Sequence, residues 1–277
     1  MLRTAADVRS WRMGAGRTGL VPTMGALHDG HASLVKRAVG ENEAAVVSIF
    51  VNPTQFGPSE DFAAYPRDEA ADLALCEKLG AAMVFAPTIE EMYPAGAITY
   101  VTVEALSDKL CGRSRPGHFR GVTTVVSKLF HVVEPDQAFF GQKDAAQSAI
   151  IRRMVRDLNI PVQVVIGPIV REPDGLAMSS RNAYLDAPQR LSALVLHRSL
   201  LAVQERFDRG ERKVQALIEA GKQVFAEDPS VRLDYFEIVD PETLDPVDRL
   251  SHSALVAVAA FVGKARLIDN VVLTVNT

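Results

Sequence analysis

The chain is short of cysteine, of long apolar runs and of any surplus of charge, and each shortage removes a class of function. Cys76 and Cys111 are its two cysteines, far apart and outside any CxxC or CxxH pattern, which argues against thiol-based zinc or redox chemistry and for two reduced thiols. No stretch approaches the roughly 20 apolar residues of a membrane span. The opening residues Met1 to Arg9 lack the uninterrupted apolar core of a signal peptide. The expectation is a cytoplasmic protein with no membrane partner. Thirty Lys and Arg against thirty-four Asp and Glu leave a formal net charge of -4, so no global field favours nucleic acid. Internal repeats and low-complexity tracts are missing too. With 18 Gly and 15 Pro in 277 residues the composition is that of a folded protein, long enough for one large domain or two modest ones.

What the chain has is alternation. Apolar strand-like runs at 19–23, 45–51, 82–86, 137–140 and 162–166 are interleaved with helical periodicity at 31–39, 68–79, 121–133 and 145–158. That order predicts parallel strands joined by crossover helices, an α/β doubly wound sheet. Ligands of such sheets bind beyond the carboxyl ends of the strands, where His28, Asn52, Gln142 to Asp144 and Val170 fall. The character changes at 181–186. Long helices are expected at 188–208 and 211–226, and three strands at 232–239, 254–262 and 267–275, giving a smaller C-terminal α+β domain of helices on an antiparallel sheet. The predicted division is 1–183 and 184–277.

Several segments carry chemistry. His28-Asp29-Gly30-His31 follows a strand and opens a helix, preceded by Met24 and Gly25. Glycines there permit turns, and helix-start N–H groups with two imidazoles that can become cationic suit an anion such as phosphate. A surface His pair or a metal site short of ligands is the plain alternative. Asn52 and Gln55 follow the second strand as hydrogen-bonding amides, or simply as turn residues. Gln142-Lys143-Asp144, with Gln147 one turn on, could meet phosphate and ribose, or form an ordinary capped helix start. Ser179-Ser180-Arg181 could grip phosphate oxygens, or cap a helix. Arg113 to Gly121 gathers three arginines and a histidine in what reads as a loop that could cover an anionic substrate, or lie solvated. His131, His197 and His252 read as structural or surface residues.

Together these segments resemble the pantothenate synthetase (pantoate-beta-alanine ligase) family of the HIGH-motif nucleotidyltransferases. The resemblance rests on the residues at 22–31, 50–56, 65–67, 115–122, 140–144 and 175–182. It implies a Rossmann-like fold, the substrates ATP, pantoate and beta-alanine, Mg2+ with no metal ligands specified, and a homodimer. The implied reaction is pantoyl adenylate formation with release of pyrophosphate, followed by attack of the beta-alanine amine to give pantothenate and AMP. By resemblance His28, His31, Lys143, Ser179, Ser180 and Arg181 are catalytic, with His31 assisting as proton donor. Met24, Gly25, Gly141, Gln142, Asp144, Val170 and Met178 join them around the nucleotide. Gln55, Gln147, Met24, Asn52 and Arg115 are expected at the acid substrate. The alternatives are another adenylyltransferase of the same fold, a non-catalytic nucleotide sensor, and, more remotely, an aminoacyl-tRNA synthetase.

Overall fold

A computed structural model describes residues 1–58 and 60–275. Their elements, in chain order, are α1 (Ala5–Arg12), β1 (Thr18–Thr23), α2 (Asp29–Glu41), β2 (Ala44–Ile49), α3 (Glu69–Lys78), β3 (Met83–Phe85), α4 (Ile89–Met92), α5 (Cys111–Ser114) and α6 (His118–Val133). β4 (Gln137–Gly141), α7 (Ala145–Asp157), β5 (Gln163–Gly167), α8 (Ala187–Asp208), α9 (Val214–Phe225), β6 (Val231–Val239), β7 (Ser253–Val262) and β8 (Ala265–Thr274) follow. The predicted five-plus-three strand content is present. None of the described helices is long and apolar enough to cross a membrane.

By their contacts the residues divide into two compact units. The first holds Met1–Asp108, Arg115–Gly141 and Ile150–Pro168; the second holds Lys109–Ser114, Gln142–Ala149 and the chain from Ile169. The expected boundary near 184 is therefore replaced by one at 168/169, with two earlier segments joining the second unit. Hydrogen bonds and an ion pair explain the change, because Asp269 and Asn270 of β8 hold Arg171 and the 142–143 turn. The last two positions of the expected 184–277 domain lie outside the described residues.

The first unit is an all-parallel sheet in the order β3-β2-β1-β4-β5, the doubly wound arrangement that reverses direction between β1 and β4. β1 pairs with β2 along its whole length but with β4 at Gly19 and Leu20 alone. Beyond Leu20 the two strands part, so Pro22 sits where β1 has no β4 partner for the N–H that proline lacks. Val21, Val35, Val47, Phe139 and Val165 pack into one apolar cluster of the sheet and its helices. A continuous apolar strand such as Ala44–Ile49 is what a sheet covered on both faces requires.

The second unit is built on the antiparallel sheet β6-β7-β8. Leu196, Leu200, Val203 and Leu217 of α8 and α9 share a core with Phe236, Val256 and Val258. Asp186 and Gln189 form a reciprocal capping box that starts α8, fixing the helix entry point.

Candidate active site

In the first unit the turn after β1 is fastened from behind. Thr23 Oγ1 donates to Ser48 O at 2.7 Å and accepts the Gly25 N–H at 3.2 Å. The backbone then passes through the left-handed region at Gly25 (φ 79°) and Ala26 (φ 50°), and a side chain at Gly25 would meet Asp72 Oδ2 at 2.9 Å. Asp72, on α3 and 4% exposed, accepts the Ala26 N–H at 2.9 Å and the Leu27 N–H at 2.7 Å. Burial pushes its carboxyl above the ordinary carboxylate value, against the opposing pull of those two N–H groups.

His28 caps α2. Its Nδ1 accepts the Gly30 N–H at 3.1 Å, and His31 Nδ1 in return accepts the His28 N–H at 3.3 Å. The ring centroids are 4.1 Å apart. A neutral imidazole that accepts at Nδ1 carries its proton on Nε2, so each ring has one N–H donor at the positive end of a 13-residue helix. Gly30 lies within α2; the turn falls at Gly25 and Ala26.

Asn52 and Gln55 follow β2 on a short 3-10 turn, Pro53–Gln55. Asn52, 1% exposed, donates to Gln55 Oε1 and to Gly121 O, each at 3.1 Å. Its Oδ1 accepts from Thr54 N, Thr54 Oγ1 and Tyr93 OH. Both donors and the acceptor are filled within the protein, and one of those bonds orients Gln55. Gln55 Nε2 donates to Met24 Sδ at 2.9 Å, bringing together two residues assigned to the acid substrate. A Cβ on Gly121 would lie 2.4 Å from Thr54 O, so only glycine lets α6 approach this turn.

Arg115 is held by the protein around the same turn. Its guanidinium makes a bidentate pair with Glu60 at 2.7 and 2.6 Å, and donates to His118 Nε2 at 3.0 Å and Gln55 O at 3.3 Å. His118 Nδ1 donates to the same carbonyl at 2.8 Å. Burial raises the Glu60 carboxyl, but the Arg115 hydrogen bond and charge outweigh it, and the net shift is downward. The expected basic loop is in fact α5, a three-residue link and the start of α6, with Gly117 at φ 83° as N-cap. Its arginines are engaged: Arg113 with Glu237, Arg115 with Glu60, and Arg120 over the Tyr100 ring.

In the second unit Gln142–Asp144 forms a 3-10 turn leading into α7. Lys143, Asp144 and Gln147 are half-buried. Asn270 Nδ2 donates to Gln142 O at 2.9 Å and to Lys143 O at 3.0 Å, and its Oδ1 accepts from Gln142 Nε2 at 3.3 Å. Residues 170–178 form a small hairpin closed by Met178 N–H to Val170 O at 3.0 Å and by Gly175, whose φ is 97°. Arg171 ties it to Asp269 at 2.6 and 3.0 Å. Ser179 caps the 3-10 turn Ser180–Tyr184 through Arg181 N–H. Asn182 binds Glu172 and Ala177 O, and Arg190 binds both Glu172 and Asp174. The Arg190 hydrogen bond holds the Glu172 carboxyl below its ordinary value.

Asp72, Glu60, Tyr93, Asp269 and Asn270 hold candidate residues in place and lie outside those the sequence singles out. The available signal was polarity out of place: Asp72 in an apolar helix stretch, Asp269-Asn270 inside a β-branched strand. Among the described residues no group of three or more His, Cys, Asp and Glu could hold a metal ion.

The sequence profile of the family described as pantoate-beta-alanine ligase matches residues 1–272. The pantothenate synthetase of Koribacter versatilis is 61% identical over 92% of this chain and 88% of its own length. That of Moorella thermoacetica is 54% identical over 100% and 99%. The crystal structure of pantothenate synthetase from Thermus thermophilus superposes with a TM-score of 0.94 at 48% identity, covering 98% of each chain. The Francisella tularensis pantoate-beta-alanine ligase, solved with beta-gamma ATP and beta-alanine, gives 0.76 at 31% identity over 98% and 96%. The chain belongs to the pantoate-beta-alanine ligase family and is, by that membership, a pantothenate-forming ligase.

Proposed function

We propose that this ligase activates pantoate with ATP through an acyl adenylate. A pantoate carboxylate oxygen attacks the α-phosphorus, the bond to the β-phosphate oxygen breaks, and pyrophosphate leaves. The beta-alanine amine then attacks the acyl carbon, losing a proton as the carbon–oxygen bond to AMP breaks. A carboxylate is a poor acyl donor, so the work of the protein is orientation and stabilisation of phosphate charge.

The capped histidine pair carries this reading. With both Nδ1 atoms engaged in the helix cap, the Nε2 side of His28 and His31 is what meets phosphate oxygens, and His31 assists as proton donor. Lys143, Ser179, Ser180 and Arg181 stabilise the phosphates and the departing pyrophosphate. Gly25 gives the nucleotide close access to the backbone, Gly141, Gln142 and Asp144 lie at the ribose, and Val170 and Met178 border the adenine. Gln55, Gln147 and Met24 receive pantoate. Magnesium enters as the counter-ion of the nucleotide substrate. A homodimer and a cytoplasmic setting belong to the same proposal; mass measurement in solution tests the first.

The test is a mass-spectrometric product assay with ATP, magnesium, pantoate and beta-alanine, alongside pyrophosphate exchange without the amine. His31→Ala is expected to lower exchange at least about tenfold, the loss of roughly 1.4 kcal/mol of transition-state stabilisation. Undiminished exchange in that variant would remove His31 from the mechanism.

A further inference from the structure

We infer that the buried pair Asp269 and Asn270 on β8 is a positioning device for the nucleotide-facing segments of the second unit. Each residue is 3% exposed, on a strand whose Leu267 and Leu273 are buried in the apolar core. Burying an amide and a carboxylate there is costly unless every hydrogen bond is made, and here they are made to two functional loops. Asn270 uses both Nδ2 hydrogens on Gln142 O and Lys143 O and its Oδ1 on Gln142. Asp269 accepts the Asn270 N–H at 2.8 Å and takes Arg171 bidentately. Arg171 in turn donates to Gly175 O at 3.1 Å, inside the hairpin that leads to Ser179.

The lysine therefore owes the position of its main chain to an amide 127 residues away in sequence. Pinning the carbonyls of 142 and 143 fixes the backbone from which the Lys143 side chain departs, and small displacements of a catalytic group cost large factors in rate. Asn270 touches no reacting atom; it acts through Lys143. The inference rests on the assignment of Lys143 to the phosphates.

The test is pyrophosphate exchange in the full chain, with thermal unfolding followed in parallel. Asn270→Asp preserves size but sets a carboxylate against two carbonyl oxygens. Exchange kcat is expected to fall at least about tenfold, with KM for pantoate held within about twofold. In a Lys143→Ala background the same change is expected to cost less than about a further twofold, because positioning a removed side chain has no effect. Losses that multiply overturn the inference. Val256→Ala, buried on the neighbouring β7, is the stability control; a comparable exchange loss in it, well below its melting temperature, also overturns it. Where Asn270→Asp does not fold, Asn270→Ala carries the same comparison. Lys143→Ala with intact exchange defeats the assignment of the lysine. Lys143→Ala without exchange beside a fully active Asn270→Asp defeats the positioning role alone.

Discussion

Replacing Asp72 by Asn removes the clamp behind the histidine turn while leaving a side chain of the same shape. The carboxylate satisfies two N–H groups, Ala26 and Leu27. An amide can accept one and must turn its own NH2 toward the other. The loss is one charge-assisted hydrogen bond plus an orphaned N–H, roughly 2–4 kcal/mol from typical values, reduced because the amide also avoids burying a charge. A net cost of about 2 kcal/mol lowers the melting temperature by about 4–8 °C for a domain of this size. The turn also delivers the His28 cap, so a displacement of about 1 Å there is expected to slow exchange by about 10- to 100-fold. The sign of the pH dependence follows from the raised carboxyl. Its contribution to stability is fully present below the ordinary value of 3.8 and is lost as pH rises through the higher native value. Asn does not titrate, so the gap worked above for the ionised carboxylate is the one expected above the native value, and it widens as pH falls below that value. Differential scanning calorimetry across pH and pyrophosphate exchange measure both effects. A variant with wild-type melting and exchange would show that the turn holds itself.

Three further outcomes are expected. Gln55→Ala weakens pantoate more than ATP in calorimetric titration, and equal losses would count against its substrate role. Glu60→Gln, which halves the grip on Arg115, costs about 1–3 kcal/mol and raises KM for pantoate through the Gln55 carbonyl; because the Glu60 carboxyl is lowered, wild type loses this advantage as pH falls through its native value. An unchanged KM would detach Arg115 from Gln55. Cys76, pushed up to about 11 by burial and then by Asp72, stays unmodified by a thiol reagent at pH 8 in the native protein and reacts on unfolding. Rapid native labelling at Cys76 would refute its burial.

The strands and their order of appearance were legible because parallel, doubly covered strands are written as apolar runs, and the His-x-Gly-His element because a cap is a local event. For Asn52 and Arg115 the sequence shows the functional group but not its intraprotein partners. Their partners Gly121 and Glu60 lie 69 and 55 residues away. The 113–121 segment looked like a loop because Pro116 and Gly117 dominate its pattern, although Gly117 supplies the start of a helix. Asp72 and Asn270 escaped because each serves backbone groups, which leave no trace in residue type.

One consequence of the capped histidines concerns what the position will accept. Asn, Asp and Ser cap helices well, so a search for thermostable variants is expected to favour them over His28. Each would keep the first turn of α2 and discard the imidazole, producing a sturdier helix in a poorer ligase. At this site selection for robustness and selection for turnover pull on a single side chain in opposite directions.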